Sequence, residues 1–247
     1  VTYAETVTSL SVEVLAKSAN KHNRLFCQVE PMSEEICALF DDGTVFPGMD
    51  VKDRAKILRE NPAFLWADLA ATPQKIWCFG DDQIGPNVYA ERTVGVAYLT
   101  QVKDSVVGGF KWVCNEGPMC EEKCRGLRVW LNDITLHADA IHRGMGQISP
   151  TSRRVVNAGM YLAEPTLMEP IFKVNITCPN ALVGSIYNVM SMRRGSVYDE
   201  GEGMAGGVSN MQAWLPVAES FGFSQALAEA TSGAAFSQLM FDHWQTM

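Results

Sequence analysis

The chain has 247 residues, of which 47% are hydrophobic, and this is enough apolar material for one large domain or two small ones. A formal net charge of −8 argues against indiscriminate nucleic-acid binding, because contact with phosphates usually needs a positive balance. The sequence contains neither a signal-peptide pattern nor the roughly 18 uninterrupted apolar residues of a membrane helix, so we expect a cytoplasmic protein without a membrane partner. It begins at Val1 without an initiator methionine, and we expect it to be cut from something longer.

Two strands joined by a polar loop are predicted near the start of the chain. The strands are Val12–Ala16 and Leu25–Val29, and the loop is Ser18–Asn23. Asn and Ser favour turns because their side chains bond the local backbone. Lys21 in the loop and Arg24 just after it make this segment locally basic without a neighbouring acid, which fits contact with nucleic acid at a chosen point.

Periodicity predicts five further elements before residue 169. They are a helix over Met49–Leu58 with Asp50 as N-cap, a strand over Gln74–Phe79 followed by a turn over Gly80–Pro86, a helix over Val94–Cys114, a strand over Arg128–Leu136 and a helix over Ser152–Leu162 with Pro150 near its start. Gly108 and Gly109 have a low helix propensity and weaken the prediction of a single unbroken helix over Val94–Cys114.

A second basic loop follows the predicted strand that ends at Leu136. Gly144 and Gly146 let the backbone turn where side chains would clash. His142 and Arg143 are therefore expected at the start of a turn, with exposed side chains. On these residues alone, an exposed loop histidine without a special role is the favoured interpretation.

The pattern resets after Glu169, where we place a domain boundary that gives residues 1–169 and 170–247. The predicted elements of the second part are a strand over Ile171–Cys178, a helix over Asn180–Arg194, strands over Ser196–Asp199 and Met211–Val217, a helix over Ser224–Ser232 capped by Ser224, and a strand over Ala235–Phe241. This β-α-β-β-α-β order is typical of the ferredoxin-like fold, so the fold class is α+β with two domains.

Motifs of common catalytic chemistry are missing from the sequence. The patterns G-x-x-x-x-G-K-[ST], G-x-S-x-G and H-E-x-x-H do not occur, and no catalytic residue is predicted. His137, Asp139 and His142 form the one compact set with metal-ligand character, but short motifs of this kind often mislead, and no metal is predicted.

The seven cysteines contain no C-x-x-C pair. Cys114, Cys120 and Cys124 cluster, but a zinc site usually needs two closely spaced ligand pairs. Reduced thiols in a cytosolic protein are the better interpretation.

The segment Leu136–Gln147, which reads LHADAIHRGMGQ, resembles the diphthamide loop of the elongation factor 2 family of eukaryotic translational GTPases. Further stretches are similar to that family in the same order along the chain: Val1–Val7, Lys17–Leu25, Lys75–Gly80, Lys103–Val107, Glu219–Phe223 and Phe241–Trp244. The resemblance covers essentially the whole chain.

The resemblance implies that the first domain has the ribosomal protein S5 domain 2-like fold and the second the ferredoxin-like fold. It implies that this part of the protein reaches the decoding centre of the small ribosomal subunit during translocation of tRNA and mRNA. His142 would be converted to diphthamide by its synthesis enzymes and be ADP-ribosylated by toxins. Lys21, His22, Arg24, His137, Asp139 and Arg143 would face RNA at the same tip. The domain that binds GTP and Mg would lie upstream, so no cofactor is expected in this segment.

Three residues depart from the family's pattern. Ala19 replaces a proline, Met145 replaces the middle glycine of a three-glycine run, and Ser149 replaces an isoleucine. A side chain at position 145 requires either a negative φ or strain.

Two other hypotheses stay open on the sequence alone. The C-terminal part of a GTPase of the spliceosomal U5 particle shares this architecture, although it does not keep the residues His137–Ala140 before its histidine. A free-standing enzyme with a metal on His137, Asp139 and His142 is the third hypothesis.

Overall fold

The computed structural model of the chain describes residues 1–60, 75–80, 86–202 and 206–247. The chain divides into two compact units. The first unit contains Ala4–Leu167, and the second contains Met168–Met247 together with Val1–Tyr3. None of the helices in the described ranges is both long enough and apolar enough to cross a membrane.

One five-stranded sheet organises the first unit. The elements of this unit are β1 (Ala4–Val7), β2 (Val14–Lys17), β3 (Arg24–Pro31), α1 (Glu34–Asp41), α2 (Val51–Glu60), β4 (Ile76–Cys78), β5 (Asn87–Glu91), α3 (Leu99–Asn115), β6 (Lys123–Cys124), β7 (Leu127–Thr135) and α4 (Met145–Tyr161). The strand order in the sheet is β2-β3-β7-β5-β4. Strands β5 and β7 are parallel and the other neighbours are antiparallel, while β1 pairs with β6 outside this sheet.

Alternation along β7 places helices on both faces of the sheet. Val129 and Leu131 share the side that packs against α3 and α4. Trp130 points to the other side and packs with residues of α1 and α2. The sheet is therefore the middle layer of three.

The helix predicted over Val94–Cys114 is confirmed as α3, which runs unbroken from Leu99 to Asn115 although it contains the glycine pair. A Cβ atom at Gly109 would lie 2.5 Å from the carbonyl oxygen of Ser149 and 2.6 Å from Cβ of Ser152, both in α4. Glycine at this position thus lets two helix backbones approach each other closely.

The structure moves several predicted boundaries in the first unit. α3 begins at Leu99, and Val94, the predicted start, is 91% exposed. α4 begins at Met145, so Pro150 lies inside the helix rather than near its start. Gln74 and the predicted turn at residues 81–85 lie outside the described residues.

The second unit confirms the β-α-β-β-α-β prediction. Its elements are β8 (Pro165–Pro179), α5 (Val183–Met192), β9 (Ser196–Glu202), β10 (Val208–Pro216), α6 (Phe223–Thr231) and β11 (Phe236–Thr246). The strand order is β9-β10-β8-β11 with every pair antiparallel, as in the ferredoxin-like fold. The predicted Ser224 cap was wrong: α6 starts one residue earlier, after Gly222 at φ +72°, a conformation that glycine adopts at no steric cost.

Candidate functional site

The first tip loop, Ser18–Asn23, connects β2 to β3. The last pair of the hairpin is Lys17 with Arg24, and the amide of Ser18 donates to the carbonyl of Asn23 at 2.9 Å. The loop turns at Lys21, whose φ of +63° is in the left-handed region that L side chains seldom adopt. The hairpin predicted from the sequence is confirmed, and the Lys21 side chain is exposed at its end.

The second tip loop, Leu136–Gly144, leads from the end of β7 to the start of α4. It ends in a single 3-10 turn over Ala140–Arg143. The Asp139 side chain caps this turn by accepting a hydrogen bond from the amide of Ile141 at 3.1 Å. The carboxylate of Asp139 thus has a local structural partner.

Two asparagines of the first tip loop hold the backbone of the second at His142. The side-chain amides of Asn20 and Asn23 each donate to the carbonyl oxygen of His142 at 2.7 Å. Asn23 is fully buried, and its Oδ1 also accepts from the amide of His137 at 3.2 Å. Because a buried amide left without partners is costly, these bonds fix the two loops relative to each other.

Three imidazole rings meet where the tip loops join. The ring centroids of His22 and His137 are 4.8 Å apart, those of His22 and His142 are 4.6 Å apart, and those of His137 and His142 are 4.5 Å apart. These are contact distances for aromatic rings. The predicted residues His22, His137 and His142 are therefore brought together, although residue 22 is far from the other two in the sequence.

Arg143 corrects the prediction of an exposed side chain. It is only 8% exposed, and its guanidinium donates to the carbonyls of His137 and Ala138 at 2.9 and 2.6 Å. It also binds Oε1 of Gln101 through two nitrogens and lies 4.1 Å above the Tyr98 ring. The planar fork satisfies carbonyls inside the second tip loop, so Arg143 stabilises the loop from within.

The exposed positive charge at the tip comes from the first loop and its strands. Lys21 and Arg24 are exposed as predicted, together with Lys17. Arg154 in α4 adds a further exposed guanidinium, which donates to the carbonyl of Lys17 at 2.5 Å. Such solvated cations on an acidic chain are suited to local contact with phosphates.

The three residues that depart from the family's pattern fit the fold without strain. Met145 is the first residue of α4, does not have a positive φ, and is 70% exposed. The hydroxyl of Ser149 donates to the carbonyl of Ser105 in α3 at 2.7 Å. Ala19 is an exposed residue of the first tip loop.

The metal hypothesis finds no geometric support at the tip. Within the described ranges, no group of three His, Cys, Asp or Glu side chains is arranged to hold a metal ion. Nδ1 of His137 accepts from the amide of Asp139 at 3.0 Å, which occupies one of the ring nitrogens that a ligand would use.

The cysteines are all free thiols, and Cys120 is the one that is exposed. Burial raises the pKa of the Cys27 thiol to about 12 and that of Cys37 to about 11. Buried thiols with a high pKa are poor nucleophiles at neutral pH.

The residues that hold the two tip loops in place could not be predicted from the sequence. Asn20 and Asn23 carry turn signals, whereas Gln101 and Tyr98 carry no local signal. Their roles depend on contacts between residues far apart in the sequence, such as Asn20 and His142, which are separated by 122 positions. The local turn signal of the asparagines was the one available hint.

The comparison with protein families matches two consecutive ranges. Residues 68–164 match elongation factor G, domain IV, and residues 166–247 match the elongation factor G C-terminus. Both tip histidines of the second loop, His137 and His142, lie in the first range, and the ferredoxin-like unit coincides closely with the second. Over these residues the chain is domain IV and the C-terminal domain of a translation elongation factor.

Proposed function

We propose that the two tip loops contact the decoding centre of the small ribosomal subunit during translocation, and that His142 is the site of diphthamide. The observation that carries this proposal is the clamp on His142. Two asparagine amides hold its carbonyl at 2.7 Å, and its ring, predicted to be exposed, is half-buried in contact with the rings of His22 and His137. A histidine held in this way loses little further conformational freedom on binding, which lowers the entropic cost of recognition.

Ribosome interaction follows from the elongation factor domains, and the tip charges supply the finer proposal. Paired RNA is recognised through its shape, 2′-hydroxyls and phosphates, for which short polar and cationic loops are suited. Lys21 and Arg24 offer solvated cations next to the histidine cluster. A cationic extension on His142 would add reach and charge at the same place.

Binding of the chain to small ribosomal subunits over a series of KCl concentrations tests the RNA contact. The double variant Lys21→Gln, Arg24→Gln should bind more weakly and reduce the slope of log K against log salt by ~1–2, since each phosphate contact releases counterions. The matched control is Lys56→Gln, Arg59→Gln on the exposed face of α2, which removes the same charge elsewhere. Equal weakening by both double variants would show that net charge alone governs binding.

Peptide mass spectrometry tests the modification. Trypsin releases Val129–Arg143, which contains both His137 and His142, so fragment ions must localise any added mass. In chain made in a eukaryotic cytosol the addition should be on His142, and bacterial material should carry plain histidine. An addition on His137 would count against His142 as the modified residue. Plain histidine at position 142 in the eukaryotic material would count against the proposal and favour the hypothesis of a spliceosomal relative.

Hydrolysis of GTP is proposed to belong to a domain outside this chain. The pure chain is expected to show no nucleotide turnover. Measurable GTPase activity that follows the chain through purification would contradict this part of the proposal.

A further inference from the structure

A cavity of about 230 Å³ lies in the first unit and contains none of the tip residues. Arg54 of α2 and Lys111 of α3 line it, together with Trp77, Cys78 and Phe79 at the end of β4 and Gly80 just after them. Two cations and two aromatic rings thus surround a space large enough for a small ligand. The matched elongation factor domains do not assign a function to this cavity.

Arg54 is the residue in this cavity that calls for a partner. Arg54 is only 7% exposed, and the central carbon of its guanidinium lies 4.5 Å from the centroid of the Phe79 ring. Its Nε is shielded from solvent and, in the described part of the chain, has no hydrogen-bond partner. A shielded N–H group of a cation that lacks an acceptor is unfavourable in a native protein, because its desolvation is not offset.

The Asp50 carboxylate does not provide the missing acceptor. Asp50 stands one helical turn before Arg54, and its Oδ1 accepts from the amide of Lys52 at 2.8 Å as the cap of α2. Burial lowers the pKa of Arg54, and the Asp50 carboxylate opposes that shift without overcoming it. Nε of Arg54 therefore remains without an acceptor among the described residues.

The other described residues that line the cavity are positive or neutral, and among them Lys111 adds an ammonium group. Lys103 does not line the cavity, but its Nζ lies 5.7 Å from the centroid of the Trp77 ring. The Cys78 thiol stays protonated near neutral pH, since burial raises its pKa to about 11. Glu91 is engaged by the indole of Trp77 at 3.1 Å and the hydroxyl of Thr93 at 2.6 Å, and it is not among the described residues that line the cavity.

The geometry points to an oxyanion site in which Arg54 and Lys111 bind a phosphate monoester, with Trp77 and Phe79 as flat walls. Arg is suited to this task because its planar fork matches the spacing of phosphate oxygens. A small aryl group attached to the phosphate can stack on the indole ring. The small volume limits the ligand to inorganic phosphate or a small monoester.

Isothermal titration calorimetry of the chain with inorganic phosphate, at ionic strength held constant with chloride, tests the site. The expected result is saturable binding with one site per chain, weakened at least tenfold by Arg54→Gln. The control Arg59→Gln removes the same charge from an exposed position of the same helix and should change the affinity less than twofold. Absence of binding, or equal weakening by both variants, would overturn the proposal.

A second variant keeps the test valid if Arg54→Gln impairs folding. Lys111→Gln changes a half-buried residue of α3 and should also weaken binding, while circular dichroism verifies that the helices remain. Phenyl phosphate should bind more tightly than inorganic phosphate if Trp77 is a wall of the site. Binding of the diester dinucleotide UpU in place of inorganic phosphate and phenyl phosphate would contradict a monoester site.

Discussion

Substituting alanine at the two adjacent glycines of α3 should change stability in opposite directions. A Cβ at Gly109 meets the carbonyl oxygen of Ser149 at 2.5 Å and Cβ of Ser152 at 2.6 Å, whereas at Gly108 its nearest atom is Oγ of Ser149 at 3.8 Å. Alanine gains about 1 kcal/mol over glycine in a helix interior. Overpacking costs about 1–3 kcal/mol, and the cost is high here because a backbone atom must move. Gly109→Ala should thus destabilise the first unit by ~1–2 kcal/mol, and Gly108→Ala should stabilise it by up to about 1 kcal/mol.

Hydrogen exchange of the α3 and α4 amides, supported by urea unfolding, measures the change in stability of the first structural unit separately from that of the second. Unfolding of the whole chain is not assumed to be two-state, because each unit has its own core. In a thermal scan, each kcal/mol should shift the transition of a unit of this size by about 2–4 °C. If both variants shift protection in the same direction, the close approach of α3 and α4 does not decide which glycine is needed.

Three other predictions concern single residues. Arg143→Lys keeps the charge but loses the paired hydrogen bonds to Gln101. We expect urea unfolding to show a free energy of unfolding lower by about 1–3 kcal/mol, and the amides of residues 137–143 to exchange hydrogen faster. Unchanged protection of these amides would refute a stabilising role for Arg143. Glu5 is fully buried and accepts hydrogen bonds from the amides of Met119, Cys120 and Glu122. Glu5→Gln should therefore lower the free energy of unfolding by ~2 kcal/mol, measured by urea unfolding. An unchanged free energy of unfolding would show that the carboxylate charge is not needed. A thiol-reactive dye at pH 7.5 should label one cysteine rapidly, and Cys120→Ser should remove that phase. Several fast thiols would contradict the burial of five of the other cysteines and the partial burial of Cys78.

The sequence was most informative where local pattern and fold agree. The β2–β3 hairpin follows from alternation around a loop rich in Asn and Ser, and the second unit follows from the order of its elements.

Local pattern failed where distant contacts decide the outcome. Gly109 lowers the propensity of α3, yet the approach of α4 requires a residue without a side chain there. Arg143 was expected in solvent as a loop cation, but carbonyls of its own loop and Gln101 of α3 provide enough partners to bury it. Asn20 and Asn23 carry ordinary turn signals, and their bonds to His142 become visible only when the two loops meet.

Labelling by diphtheria toxin and radioactive NAD tests the identity of the tip most directly. Chain made in a eukaryotic cytosol should accept one ADP-ribose group per molecule, and His142→Ala should accept none. The matched variant His137→Ala removes a neighbouring ring of the same cluster and should still be labelled. Label that persists in His142→Ala, or native chain that takes up no label while an authentic substrate does, would contradict the assignment of His142 as the diphthamide residue.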